Sequence, residues 1–221
     1  MRNAFHDDLD RVSDQLVHMT EMVGTAMTRA TDALVNTDLG VAESVIAADD
    51  DIDTVRRQVD DLAVDLLARQ QPVATDLRMV VTAMHMASDI ERMGDLARHI
   101  AKIARMRYPK QAVPQEVLPH ITSMSECAID LAKKTGEAID SKDVHAAQEI
   151  ERLDDHMDDL HRQIFAALHS EGWNYPTETA VDVTLLSRYY ERFGDHAVAV
   201  ADRIVYLVTG RYGDPNEGLQ R

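Results

Sequence analysis

One segment of this chain occurs twice. Asp89-Ile90-Glu91-Arg92-Met93-Gly94-Asp95 reappears about 100 residues on as Tyr189-Tyr190-Glu191-Arg192-Phe193-Gly194-Asp195. Upstream, Asp49-Asp50-Asp51-Ile52-Asp53 is matched about 105 residues on by Asp154-Asp155-His156-Met157-Asp158. The order of breaks repeats too: turn, helix, turn at proline, helix. A duplicated unit of this length reads as a supersecondary block that buries its apolar face with its neighbours.

The breaks are few. They fall at Thr37-Asp38-Leu39-Gly40, at Gln71-Pro72, across Tyr108-Pro109 to Val113-Pro114, at Asp140-Ser141 and at Gly172-Trp173-Asn174-Tyr175-Pro176. Proline removes a backbone donor and ends helices, and Ser141 reads as an N-cap. Between breaks lie six segments of roughly 25–35 residues with apolar positions three and four apart, the helical period. In 75–106 these are Leu77, Val80, Met84, Ala87, Ile90, Gly94, Ala97 and Ala101. With only 9 Gly, 6 Pro and 5% aromatics, a β-rich fold is disfavoured. The expected fold is all-α: two pseudo-repeated three-helix bundles, 1–108 and 115–210, side by side, with a flexible tail at 211–221.

Charge narrows the function. Thirty-nine acids against 23 Lys plus Arg leave a formal net charge of −16. A nucleic-acid binder needs a basic footprint, and so does docking on anionic lipid. The single Cys127 excludes an intramolecular disulfide and a cysteine zinc site. The acidic start has no apolar run, and no stretch approaches the ~20 apolar residues of a membrane span. The chain reads as cytoplasmic.

Eight acids stand out as four i, i+4 pairs: Asp49/Asp53, Glu91/Asp95, Asp154/Asp158 and Glu191/Asp195. Each pair puts two carboxylates on one helix face, one turn apart, at about 0.2–0.5 kcal/mol of repulsion. At about 100° per residue, Glu91 falls inside the apolar arc and Asp95 at its edge. Glu191 falls between Thr184 and Val198. Residues 53 and 91 are equidistant from Pro72, as are 49 and 95. Likewise 158 with 191, and 154 with 195, centre on the turn at 172–176. Folded as antiparallel hairpins, each repeat brings four carboxylates level. That is an oxygen-rich set suited to a hard or borderline cation such as iron, manganese, zinc or magnesium.

Two plainer readings stand beside it. The acids could be solvated surface, or be paired locally: Arg98 and His99 follow Asp95 by three and four, and Arg188 precedes Glu191 by three. Asp195 has Val198 and Ala199 in those places. Arg92 and Arg192 point off the pairs' faces. Gly94 and Gly194 sit mid-helix at a cost of about 1 kcal/mol relative to alanine, which predicts close helix approach. His99 and His161 are candidate extra ligands, and His85 is a weak phosphotransfer candidate. Met79, Met84, Met86 and Met93 read as core. No Glu-x-x-His spacing, phosphate loop or nucleophile motif is present, so no catalytic residue is predicted.

The doubled Glu91-Arg92-Met93-Gly94-Asp95 and Glu191-Arg192-Phe193-Gly194-Asp195-His196-Ala197 resemble the PhoU family (PhoY in some bacteria). Pro72-Val73-Ala74-Thr75-Asp76-Leu77-Arg78 resembles the segment opening that family's third helix. The second repeat has no such Asp-Leu-Arg, and Asp182 stands where it departs. The resemblance spans about residues 5–210. It implies a negative regulator of phosphate uptake and the phosphate-starvation response, linking the ATPase subunit of a phosphate ABC transporter to a sensor histidine kinase. It also implies a homodimer, no enzymatic turnover, and metal ions, iron or zinc first, on Asp49, Asp53, Glu91, Asp95, Asp154, Asp158, Glu191 and Asp195. The aspartate runs at 49–51 and 154–155 leave the ligands on those helices open. The alternatives are a carboxylate-bridged metalloenzyme and a metal-free acidic helical adaptor.

Overall fold

The computed structural model describes residues 2–211, with side chains from residue 7 onward. Residues 212–221, nearly all of the expected flexible tail, lie outside the described residues. Among the described residues the chain is all-α: α1 (Arg2–Asn36), α2 (Leu39–Gln70), α3 (Thr75–Arg107), α4 (Leu118–Ser141), α5 (Val144–Leu168) and α6 (Thr177–Thr209).

Helix ends follow local chemistry. The Asp38 carboxylate accepts the Val41 N–H at 3.0 Å and so caps α2. Gly40, expected in that break, belongs to the first turn of α2, and the reversal is made at Thr37, φ 53°. Gln71 and Ala74, both at positive φ, carry the chain round Pro72. Ser141 does not cap α5. It ends α4, and its hydroxyl donates back to the Glu137 carbonyl. Lys142 then turns through the left-handed region, so Asp143 arrives at the cap position and accepts the His145 N–H at 2.8 Å.

Helices α1–α3 pack on one another, as do α4–α6. The two sets meet along two seams, α1 against α4 and α3 against α6. In the α1–α4 seam Gly24 faces Ala132 and Thr20 faces Gly136, an antiparallel crossing in which each repeat offers one glycine. A Cβ on Gly136 would stand 2.6 Å from Thr20 Oγ1, so the helices approach there as closely as glycine permits. Met19 and Met27 of α1, Met93 of α3, Met124 of α4 and Phe193 of α6 lie fully buried in one hydrophobic cluster that all six helices share. Tyr190 OH shares a 2.6 Å hydrogen bond with Thr31 Oγ1 of α1 inside it.

The α3–α6 seam also carries ion pairs. Arg107 Nη2 donates to Asp182 Oδ1 at 2.9 Å, and Arg107 also reaches Glu178. Further along, Arg203 Nε donates to Asp89 Oδ2 at 2.8 Å, beside His196. Burial pushes the Asp89 carboxyl up, but the hydrogen bonds from His196 and Arg203 prevail and hold it below its usual range. Asp182, a mere irregularity in the sequence repeat, is the buried end of a clamp between the repeats.

Candidate metal centre

The hairpins bring the acidic pairs level, as the register about Pro72 and 172–176 requires. In the first repeat Asp49 of α2 and Asp95 of α3 meet on one guanidinium. Arg98 Nη1 lies 2.5 Å from Asp49 Oδ2, and Nη2 donates to Asp95 Oδ1. The other Asp95 oxygen accepts from Arg92 Nη1 at 2.7 Å, and Arg92 also lies 3.8 Å from Glu91. Arg92 therefore does not point away from the pair: its long stem reaches forward one turn along its own helix to Asp95. Burial raises the Glu91 carboxyl, with Asp95 and Asp53 adding repulsion. Burial likewise raises Asp49 against the opposing pull of Arg98.

The second repeat is wired differently. Position 198, equivalent to Arg98, is Val198, and among the described residues no ion pair reaches Asp154, Asp158 or Asp195. Arg188 binds Glu191 through Oε1. Glu191 is only 9% exposed, and its Oε2 is buried without a hydrogen-bond partner. Asp154 Oδ1 is buried and unpartnered as well. Burial, then the charges of Asp158, Asp195 and Glu191, push the Asp154 carboxyl up to about 7. Gly194 has a specific task here. A Cβ at that position would lie 2.2 Å from Asp154 Oδ1, so the glycine makes room for the carboxylate itself. At Gly94 the Cβ would meet Ile52 Cδ1 at 2.9 Å, which is the close apolar packing expected.

The fit to a cation therefore differs between repeats. The second offers two buried oxygens that lack donors and a further two carboxylates beside them, an all-oxygen set. In the first, both oxygens of Asp95 and one of Asp49 are taken by guanidinium groups. As the side chains stand, no three or more His, Cys, Asp or Glu close on a common point among the described residues. Like charges with nothing between them splay apart, so the second cluster has to draw in around an ion.

The histidines stand elsewhere. His99 stacks on Tyr189 with ring centroids 5.2 Å apart, in the α3–α6 seam, and its Nδ1 is buried without a partner. His161 bonds the buried Ser187 hydroxyl through Nδ1. His85 is exposed. Cys127 is buried, donates to the Leu153 carbonyl at 3.3 Å, and burial raises its thiol to about 11, so it is poorly reactive. Met86 and Met93 are core, and Met79 and Met84 pack against it. The residue of the site that the spacing alone did not single out is Arg98, which joins Asp49 to Asp95. It was visible as a partner of Asp95, but its reach across the hairpin to Asp49 was not. The signal available was the inequality Arg98/Val198 at equivalent positions.

Fold and site define a duplicated helical-bundle protein with a carboxylate cluster in each half. The PhoU domain matches residues 16–104 and 121–204. The chain belongs to the PhoU family. It is 46% identical over 212 residues to the "Phosphate-specific transport system accessory protein PhoU homolog 2" of Mycobacterium tuberculosis, covering 96% of this chain and 100% of that one. It is 43% identical to the homolog 1 protein of Mycobacterium leprae, over 96% of each chain. The crystal structure of PhoU from Pseudomonas aeruginosa superposes with a TM-score of 0.81 at 25% identity, covering 94% of this chain and 100% of that one.

Proposed function

We propose that this chain is a non-catalytic regulator that restrains phosphate uptake and the phosphate-starvation response. The observation that carries the reading is kinship over the whole length with phosphate-specific transport accessory proteins. In this reading it acts in the cytoplasm as a homodimer. It links the ATPase subunit of a phosphate ABC transporter to a sensor histidine kinase. Among the described residues, no helix is long and apolar enough to cross a membrane. A charge of −16 suits the positively charged cytoplasmic face of a membrane complex. The two halves, 1–108 and 115–210, serve as the paired units of one body.

The second repeat's carboxylates complete the proposal as a cation site. Asp154 and Glu191 would hold the ion with the oxygens that now lack donors, and Asp158 and Asp195 would close around it. When bound, a divalent ion would supply positive charge that neutralises the cluster and ties α5 to α6. All-oxygen ligation favours iron or manganese over zinc, which prefers nitrogen and sulfur.

Deleting the gene tests the regulatory role. Transcripts of phosphate-uptake genes should rise in phosphate-rich medium and return to baseline on complementation. Unchanged transcripts would refute it.

A further inference from the structure

We propose that Arg98 is a built-in substitute for a metal ion and closes the first repeat to metal, so that the two carboxylate clusters are not equivalent. The inference rests on the cation-site reading only for the second repeat. Its statement about the first stands on geometry alone.

The guanidinium lies where an ion would have to lie. It bridges α2 to α3 by touching Asp49 and Asp95, one acid from each arm of the hairpin. Its planar fork delivers two nitrogens to two carboxylates at once, a geometry lysine's single ammonium cannot copy. The side chain is itself 28% exposed while its acids are 9% and 13% exposed, so it fills the mouth of the cluster from above. Arg92 takes the second oxygen of Asp95. Two fixed positive charges thus sit among the four acids, and an incoming dication would have to displace at least one of them. In the second repeat Val198 leaves the corresponding place uncharged. Arg188 binds a single oxygen of Glu191, the exposed Arg192 joins no ion pair among the described residues, and Glu191 Oε2 and Asp154 Oδ1 remain buried without donors. A Cβ on Gly194 would fill the space that Asp154 occupies, whereas Gly94 faces isoleucine. The repeat that keeps room for its carboxylate is the one without the plug.

The test is metal uptake by tag-free, chelator-stripped protein dialysed against Mn²⁺ alone, read by elemental analysis. Asp49→Asn should leave the wild-type content unchanged. Arg98→Met should raise the content about twofold as a second acidic cluster opens to the ion, and adding Asp49→Asn should remove the gain. Arg98→Lys, which retains a cation, should gain less than Arg98→Met. Thermal melting of each variant checks folding. Should Arg98→Met not fold, Arg98→Gln replaces it. A wild-type content lowered by Asp49→Asn, or no gain in folded Arg98→Met or its Arg98→Gln replacement, overturns the proposal. If the wild type takes up no Mn²⁺ while Arg98→Met does, the plug stands and the second-repeat site falls.

Discussion

Asp154 shows how much a single side chain decides in this protein. Its counterpart Asp49 has a guanidinium within 2.5 Å, whereas Asp154 Oδ1 has no donor and its carboxyl is raised to about 7. Burial is the main cause, followed by Asp158 and Asp195. Between roughly pH 4 and 7 the folded chain keeps a proton that the unfolded chain has released, so stability falls as pH rises through that window. In metal-free protein, Asp154→Asn should therefore raise Tm at pH 8 by a few degrees and give almost no gain at pH 4. A melting curve at each pH checks this, and equal effects at both would show that the carboxyl is not raised. At this scale the sequence was legible where a partner lies on the same helix: Arg98 beside Asp95, Arg188 beside Glu191. It was illegible where a long side chain reaches across to a neighbouring helix, as Arg98 does for Asp49. Rotamer choice depends on groups brought in by another helix.

At the scale of elements, the hairpins were readable and the seams between repeats were not. Pro72 and the 172–176 turn fix which residues of α2 and α3, or α5 and α6, lie level. That symmetry about a turn is arithmetic on the sequence. The packing of α3 on α6 has no such marker, because an apolar stripe says that a face is covered but not by what. Hence the Arg107–Asp182 clamp emerges only from the fold. Asp182 is 2% exposed, and removing it leaves a guanidinium at the seam with only the exposed Glu178 for company. Asp182→Ala should cost about 2 kcal/mol, below the ~3–5 of a fully buried broken pair because Glu178 remains. Chemical denaturation reads this directly, and Arg107→Met in the same background should recover part of it. A neutral Asp182→Ala would mean that the pair contributes nothing to holding the repeats together.

The whole molecule is two copies of one design that have diverged in charge. The repeat itself, the six helices and the grouping into halves were all legible from the spacing of breaks and motifs. The union of the halves through one core is left open by the spacing, which fits two separate bundles or one merged body, and the fold decides it. That union predicts one cooperative unfolding transition, with calorimetric and van't Hoff enthalpies equal. Two resolved transitions would mean the halves are energetically separate. Divergence in charge is the larger consequence. If the first cluster is closed by arginine and the second open to an ion, the chain carries one fixed and one variable positive charge at equivalent places. Metal availability would then alter only one half of the molecule.

The most direct measurement is anomalous diffraction from crystals of tag-free protein soaked in Mn²⁺ and recorded at the manganese edge. The account predicts a peak between Asp154 and Glu191, no peak between Asp49 and Asp95, and Arg98 still bridging those two acids. A peak in the first repeat with Arg98 displaced, or none beside Asp154 and Glu191, would contradict it.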